Sequence, residues 1–211
     1  MSCIQDYGKD KFCTELVSVT SQILNKCHDG ELYFLGRSLE HSYDYLMGAF
    51  KEIPTWHDRL HNVIISMKGI LDGLNYLHSE NIAGFERQMR FHKLMPDDII
   101  RRKRKTVIID VIFGGGTLEC FVECLEHLAV RNKLSVKDMK SKLVFVAIQK
   151  QSHFEKSRTE QVMWDLDFIN ECGLGRNSFH LLPVGDDFWV FCGNESNKKA
   201  DTYPSDMWAD D

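Results

Sequence analysis

The residues best suited to chemistry lie in one stretch, TVIIDVIFGGGTLECF, at positions 106–121. An apolar run carries one carboxylate, Asp110, near its end, and Gly114, Gly115, Gly116 and Thr117 follow it. A glycine turn leading from a strand into a helix can close several backbone N–H groups on one phosphate. The helix aims its positive end at the same dianion, and the Thr117 hydroxyl adds a donor. A second turn, FLGRS at 34–38, ends an earlier apolar run with Gly36, Arg37 and Ser38. An arginine at such a turn suits an anionic group.

Three common phosphate turns do not fit. A nucleotide-triphosphate loop needs a lysine before its hydroxyl, and none precedes Thr117. The dinucleotide fingerprint needs a glycine where Glu119 stands, and that acid would repel a pyrophosphate. A methyltransferase loop wants a glycine two residues past the strand-end acid, a position held by Ile112.

VIIDVIFGGGT instead resembles the 5-phosphoribosyl-1-pyrophosphate (PRPP) loop of the type I phosphoribosyltransferases, in which apolar residues, two acids and a short spacer lead to Thr-Gly-Gly-Thr. FLGRS is similar to that family's earlier pyrophosphate loop, and KLVFVAIQK (142–150) falls where the family places its next strand. The resemblance covers approximately residues 31–150. It implies that Gly114, Gly115, Gly116 and Thr117 hold the 5-phosphate, with Arg37 on the pyrophosphate between Gly36 and Ser38. Asp110 would reach the ribose hydroxyls and a Mg2+ ion carried with PRPP. The implied reaction moves phosphoribosyl to a nitrogenous base and releases pyrophosphate; a homodimer is a common assembly in the family.

The sequence departs from the family pattern at three places. The first of the paired acids is Ile109, the loop position that acts on the base in purine-salvage members is Phe113, and the threonine before the glycine pair is Gly114. Two functions therefore stand side by side: a phosphoribosyltransferase, and a non-catalytic protein that senses PRPP or a nucleotide on the same fold. Lys150 is either a strand-end contact to a base carbonyl or a surface lysine, and Trp164 or Phe154 either stacks on a base or fills the core. Asp186 and Asp187 read as a hairpin turn, with a magnesium or pyrophosphate role as the alternative; Glu119 and Glu123 read as a solvent-facing stripe.

The elements that must carry these turns alternate. Phe12, Leu16, Val19, Ile23 and Cys27 mark one face of a helix that HDG (28–30) closes, with Gly30 as the left-handed residue. ELYFLG (31–36) reads as a buried strand, and SLEHSYDYLMGAF (38–50) as a helix capped by Ser38 with Leu39, Tyr43, Leu46, Met47 and Phe50 inward. NVIISM (62–67) reads as a strand, GILDGLNYLHS and GFERQMRFHKLM (84–95) as helices, and Pro96 as the start of another. RRKRK (101–105) reads as a solvated lead-in to TVIIDVIF, or as the lining of an anionic site. TLECFVECLEHLAVRN is a helix, KLVFVAIQK a strand, Arg158–Cys172 a helix, and SFHLLPV and FWVFCG two strands joined by GDD.

Strands alternating with helices argue for an α/β fold around a mainly parallel sheet, whose ligands sit beyond the carboxyl ends of the strands. The expectation is one domain over 1–193, twisted-sheet core plus a small hood and a C-terminal element, then an acidic tail, 194–211, expected to be mobile.

Composition excludes other classes. With 43 % hydrophobic and 27 % charged residues the chain is globular, and a net charge of −5 is not that of a dedicated nucleic-acid binder. No apolar run approaches the ~20 residues of a membrane span. Seven cysteines in no regular spacing, Cys120 and Cys124 among them, read as core fillers of a reduced, cytoplasmic protein. His57 and His61 lack the neighbours of a zinc site, and Ser66 lacks those of a nucleophile elbow.

Overall fold

The computed structural model describes residues 9–65, 79–112, 116–151, 174 and 176–192. Its elements are α1 (Lys9–Cys27), β1 (Glu31–Leu35), α2 (Glu40–Ala49), α3 (Pro54–His57), β2 (Leu60–Val63), α4 (Ser79–Phe91) and α5 (Pro96–Arg101). They continue with β3 (Thr106–Val111), α6 (Gly116–Arg131), α7 (Val136–Lys142), β4 (Leu143–Lys150), β5 (Phe179–Val184) and α8 (Asp186–Cys192). The five strands pair in parallel in the order β2-β1-β3-β4-β5. The fold is thus α/β, a parallel sheet flanked by helices, as the alternation predicts.

Parallel strands covered on both faces must be apolar on both sides. β3 meets this demand at every position, since all six of its residues are buried. On one face Tyr33, Val63, Ile108 and Phe145 pack with Phe85 of α4 and with Phe121 and Leu125 of α6. On the other, Leu32, Ile109 and Val146 pack with Ile23 of α1, Leu46 of α2 and Phe188 of α8.

Local details correct several expectations. The left-handed residue after α1 is His28 (φ 48°), not Gly30. Gly30 is required for a different reason: a Cβ there would come within 2.5 Å of Val107 Cγ2. Ser38 is not a helix cap, because α2 starts at Glu40 with Leu39 at its N-cap and no side-chain bond there. α4 ends sooner than expected, where Lys93 turns left-handed (φ 54°) and Leu94 N–H donates back to Met89 O. α7 has no counterpart in the expected elements; Ser135 caps it by accepting a bond from Asp138 N–H.

The largest change is at the C-terminal side. FWVFC (188–192) is not a strand but belongs to helix α8, so Asp186 and Asp187 are its first turn and not a hairpin. Two acids at a helix start complement its dipole. The Glu15 carboxylate of α1 reinforces this by accepting a bond from Phe188 N–H. The helix expected over 158–172, the tail 194–211, most of GILDGLNYLHS, Ser66, Phe154 and Trp164 lie outside the described residues.

At the amino edge of the sheet the basic run separates into two parts. Lys103 and Arg104 are exposed, as expected of a solvated lead-in. Arg102 is instead committed to the fold. Its guanidinium lies 2.9 Å from Glu31, donates to Lys93 O and Thr106 Oγ1 at 2.7 Å, and sits over the Tyr33 ring. Being at the end of β3 opposite the glycine turn, this run does not line the same crevice. Removing one member of such a pair strands the other. Arg102→Ala is expected to destabilise the protein by about 3 kcal/mol in urea unfolding; an unchanged midpoint would refute the role given to this cluster.

Candidate functional site

The strand order places the carboxyl ends of β1 and β3 side by side. From β1 the chain moves outward to β2, and then returns past β1 to β3, so the direction of winding reverses between β1 and β3. Right-handed crossovers in opposite directions put their helices on opposite faces. Accordingly α2, which follows β1, packs in one core and α6, which follows β3, in the other. In open α/β sheets, helices leaving to opposite faces from neighbouring strands mark the place, at the carboxyl ends of those strands, where ligands bind; here that place is the end of β1 and β3.

FLGRS forms one wall. Gly36 adopts the left-handed conformation (φ 68°), and its N–H donates to Val63 O at 2.8 Å, tying the turn to β2. Arg37 is exposed with its guanidinium 4.0 Å from Glu40, and Ser38 is half-buried. The other wall is the start of α6. Gly116 and Thr117 are its first residues and both are half-buried, so the unbonded N–H groups of the first turn and the Thr117 hydroxyl lie at one end of a 16-residue helix. Gly114, Gly115 and Phe113 are outside the described residues.

Asp110 lies between these walls. Strand alternation puts it on the α6 face with Ile108 and Ile112, and it is 7 % exposed. One of its oxygens accepts a bond from the adjacent Val111 N–H at 2.7 Å. Burial pushes its carboxyl up to about 7, against the smaller opposing effect of that N–H. A carboxyl poised near neutrality can ionise when a ligand brings hydroxyl donors or a cation, and perturbed groups of this kind concentrate at functional sites.

A further polar residue on this face went unrecognised in the sequence. Gln149 is fully buried, and neither amide atom has a hydrogen-bond partner among the described residues. The sequence singles out the adjacent Lys150, but a one-residue step along a strand changes face. Lys150 points to the opposite side, where its Nζ lies 3.1 Å from Asp186 of α8. It is therefore neither a base contact at this crevice nor a plain surface lysine. The available signal was alternation alone: Phe145, Ala147 and Gln149 share a face, while Val146, Ile148 and Lys150 share the other.

The remaining candidates serve the fold. His57 ends α3 and His61 belongs to β2, so they do not share a helix. His61 stacks on Tyr33 at 4.4 Å, and burial lowers it to about 4, which keeps it neutral. Cys120 and Cys124 are buried free thiols in the α6 core, as expected. Glu119 is exposed and Glu123 half-buried. No group of three or more His, Cys, Asp or Glu side chains that could hold a metal occurs among the described residues. One carboxylate, Asp110, still suits Mg2+, which commonly takes one or two protein oxygens and completes its shell with water and ligand phosphates. None of the described helices is long and apolar enough to cross a membrane.

Asp110 also imposes a pH dependence. The native carboxyl titrates at about 7 and the ordinary value is 3.8, so the folded state holds a proton that the unfolded state has lost in between. Stability is greatest below the ordinary value, declines as pH rises to about 7, and is level above it. Asp110→Asn should match the wild type near pH ~4 and exceed its thermal midpoint by about 5 °C at pH ~8. A pH-independent difference would mean that another group titrates.

Scans of family models, curated proteins and solved structures find no match to the chain.

Proposed function

We propose that the chain binds PRPP, or a nucleotide containing ribose 5-phosphate, in the crevice between β1 and β3, and transfers phosphoribosyl to a nitrogenous base. The observation that carries this is Asp110: a buried carboxyl at the end of the central strand, paired only locally among the described residues, with the 16-residue helix α6 starting six residues later. The first-turn N–H groups of α6 and the Thr117 hydroxyl receive the 5-phosphate, and Asp110 accepts bonds from the ribose hydroxyls. Arg37, on its exposed turn, meets the pyrophosphate. Asp110 would hold a Mg2+ ion brought with the phosphates, and such an ion would supply charge neutralisation on the leaving group.

In the transfer, the bond from ribose C1 to the pyrophosphate oxygen breaks, and a bond from C1 to a base nitrogen forms. The electron pair leaves with pyrophosphate, and positive charge develops on the ribose ring. Ionised Asp110 stabilises that charge from below the ring. The proton lost by the base nitrogen goes to solvent, since Phe113 cannot accept it.

A second reading, binding without turnover, is favoured by Ile109. The position of the family's first acid is fully buried in the core of the opposite face, beside Ile23 and Leu46, and contributes no charge to the crevice. Calorimetry with PRPP, with and without Mg2+, followed by pyrophosphate release across a panel of bases, separates the two. Binding with release identifies a transferase, and binding alone a sensor. Thr117→Val is expected to weaken PRPP about tenfold, the loss of one charge-assisted bond. Gly116→Asp should weaken it more by setting a carboxylate against the phosphate. No binding at millimolar PRPP, or unchanged affinity in both variants, would refute the site.

A further inference from the structure

Among the described residues, Gln149 is the one whose side-chain donor and acceptor are both buried without a partner. Its neighbours on the same strand face, Phe145 and Ala147, are apolar, as the covering helix α6 requires. A leucine would complete that face. The carboxamide instead enters it with an unbonded donor and an unbonded acceptor. Buried polar groups are bonded in the great majority of cases, because an unmet donor or acceptor forfeits its hydration without return. A group kept in this state has its partners elsewhere, and its position indicates where.

The last β3–β4 bond runs from Ile112 N–H to Ile148 O, at 2.8 Å. Gln149 is the next residue on β4, at the rim where the β3 chain departs for the glycine turn. Asp110 pairs in register with Ala147, so Gln149 stands on the next strand, on the same face, and one pleat nearer the carboxyl edge. On its other side β5 presents Pro183, which has no N–H to offer. The carboxyl edge of β3 and β4 therefore carries, on one face, a buried carboxyl suited to sugar hydroxyls and, on the next strand, a buried uncharged two-point hydrogen-bonding group.

We infer that Gln149 is the specificity-determining contact for a nucleobase, pairing its amide with an uncharged base edge that sets a donor beside an acceptor. A carboxamide matches such an edge bidentately and can rotate to suit either order. A charged residue in its place would favour a single acceptor. The inference deepens the ribose-phosphate reading and rests on it for the placement of the sugar. A site built to satisfy buried polar groups rejects ligands that leave them unpaired.

The test is calorimetry of the full chain with inosine 5′-monophosphate, adenosine 5′-monophosphate and ribose 5-phosphate, on wild type, Gln149→Leu and Gln149→Glu. One nucleotide or the other is expected to bind at least about tenfold more tightly than ribose 5-phosphate. Both variants should abolish that gap and leave ribose 5-phosphate affinity unchanged. Gln149→Leu should also raise the thermal midpoint of the free protein, the reverse of what a purely structural glutamine would give. A gap that survives in both variants, or the absence of any gap in wild type, overturns the assignment while ribose 5-phosphate binding keeps the phosphate site. Should ribose 5-phosphate fail to bind while either nucleotide binds in a Gln149-dependent manner, the base contact stands and the phosphate reading falls. No binding of any of these ligands overturns both.

Discussion

The structure depends on the burial of β3. This strand is bonded to β1 on one side and β4 on the other, and both of its faces are covered by helices. Water cannot reach its backbone, so every peptide group must be paired within the sheet, and side chains must be apolar unless something compensates. Val107, Ile108, Ile109 and Val111 comply. Thr106 is satisfied by Arg102 at one end, and Asp110 at the other end has only its neighbour's N–H. A buried acid on a central strand costs free energy, and groups of this kind concentrate at functional sites.

The two edges of the sheet treat polar groups differently. At the amino edge Glu31, Tyr33, His61 and Arg102 form a compact set in which the charges are paired and the rings stacked. Arg59 behaves likewise, donating to the carbonyls of Gly30 and His28 and lying over the Trp56 ring. These interactions hold the beginnings of β1, β2 and β3 together. At the carboxyl edge Asp110 carries a raised pKa and Gln149 has no partner among the described residues. Charge pairing is thus concentrated at the amino edge, while Asp110 and Gln149 at the carboxyl edge have no charged partner among the described residues.

Much of this was legible in the sequence because the signals were local. The apolar spacing of α1 and α6, the uninterrupted run of β3, and the glycines at 36 and 116 each follow from short-range sterics and burial. Failures came where two elements of similar composition compete. FWVFCG has the aromatic make-up of a strand, yet seven residues beginning with two acids fold as a helix once Glu15 accepts Phe188 N–H. Ser38 has the chemistry of a cap, but the turn at Gly36 delays the helix to Glu40. RRKRK looks like a surface run, and only the proximity of Glu31, distant in sequence, removes Arg102 from it.

The sequence by itself determined an alternating α/β chain, its central strand, and the residue types of two turns, since these depend on periodicity and on the conformational freedom of glycine. Tertiary structure decided that β1 and β3 are neighbours and that their helices leave on opposite faces, because strand order is set by how crossovers pack and not by any local run. It also decided that Gln149 and not Lys150 lies on the sheet face that carries Asp110. Adjacent residues on a strand point in opposite directions, and which direction leads to the site is known only when the faces of the sheet are covered.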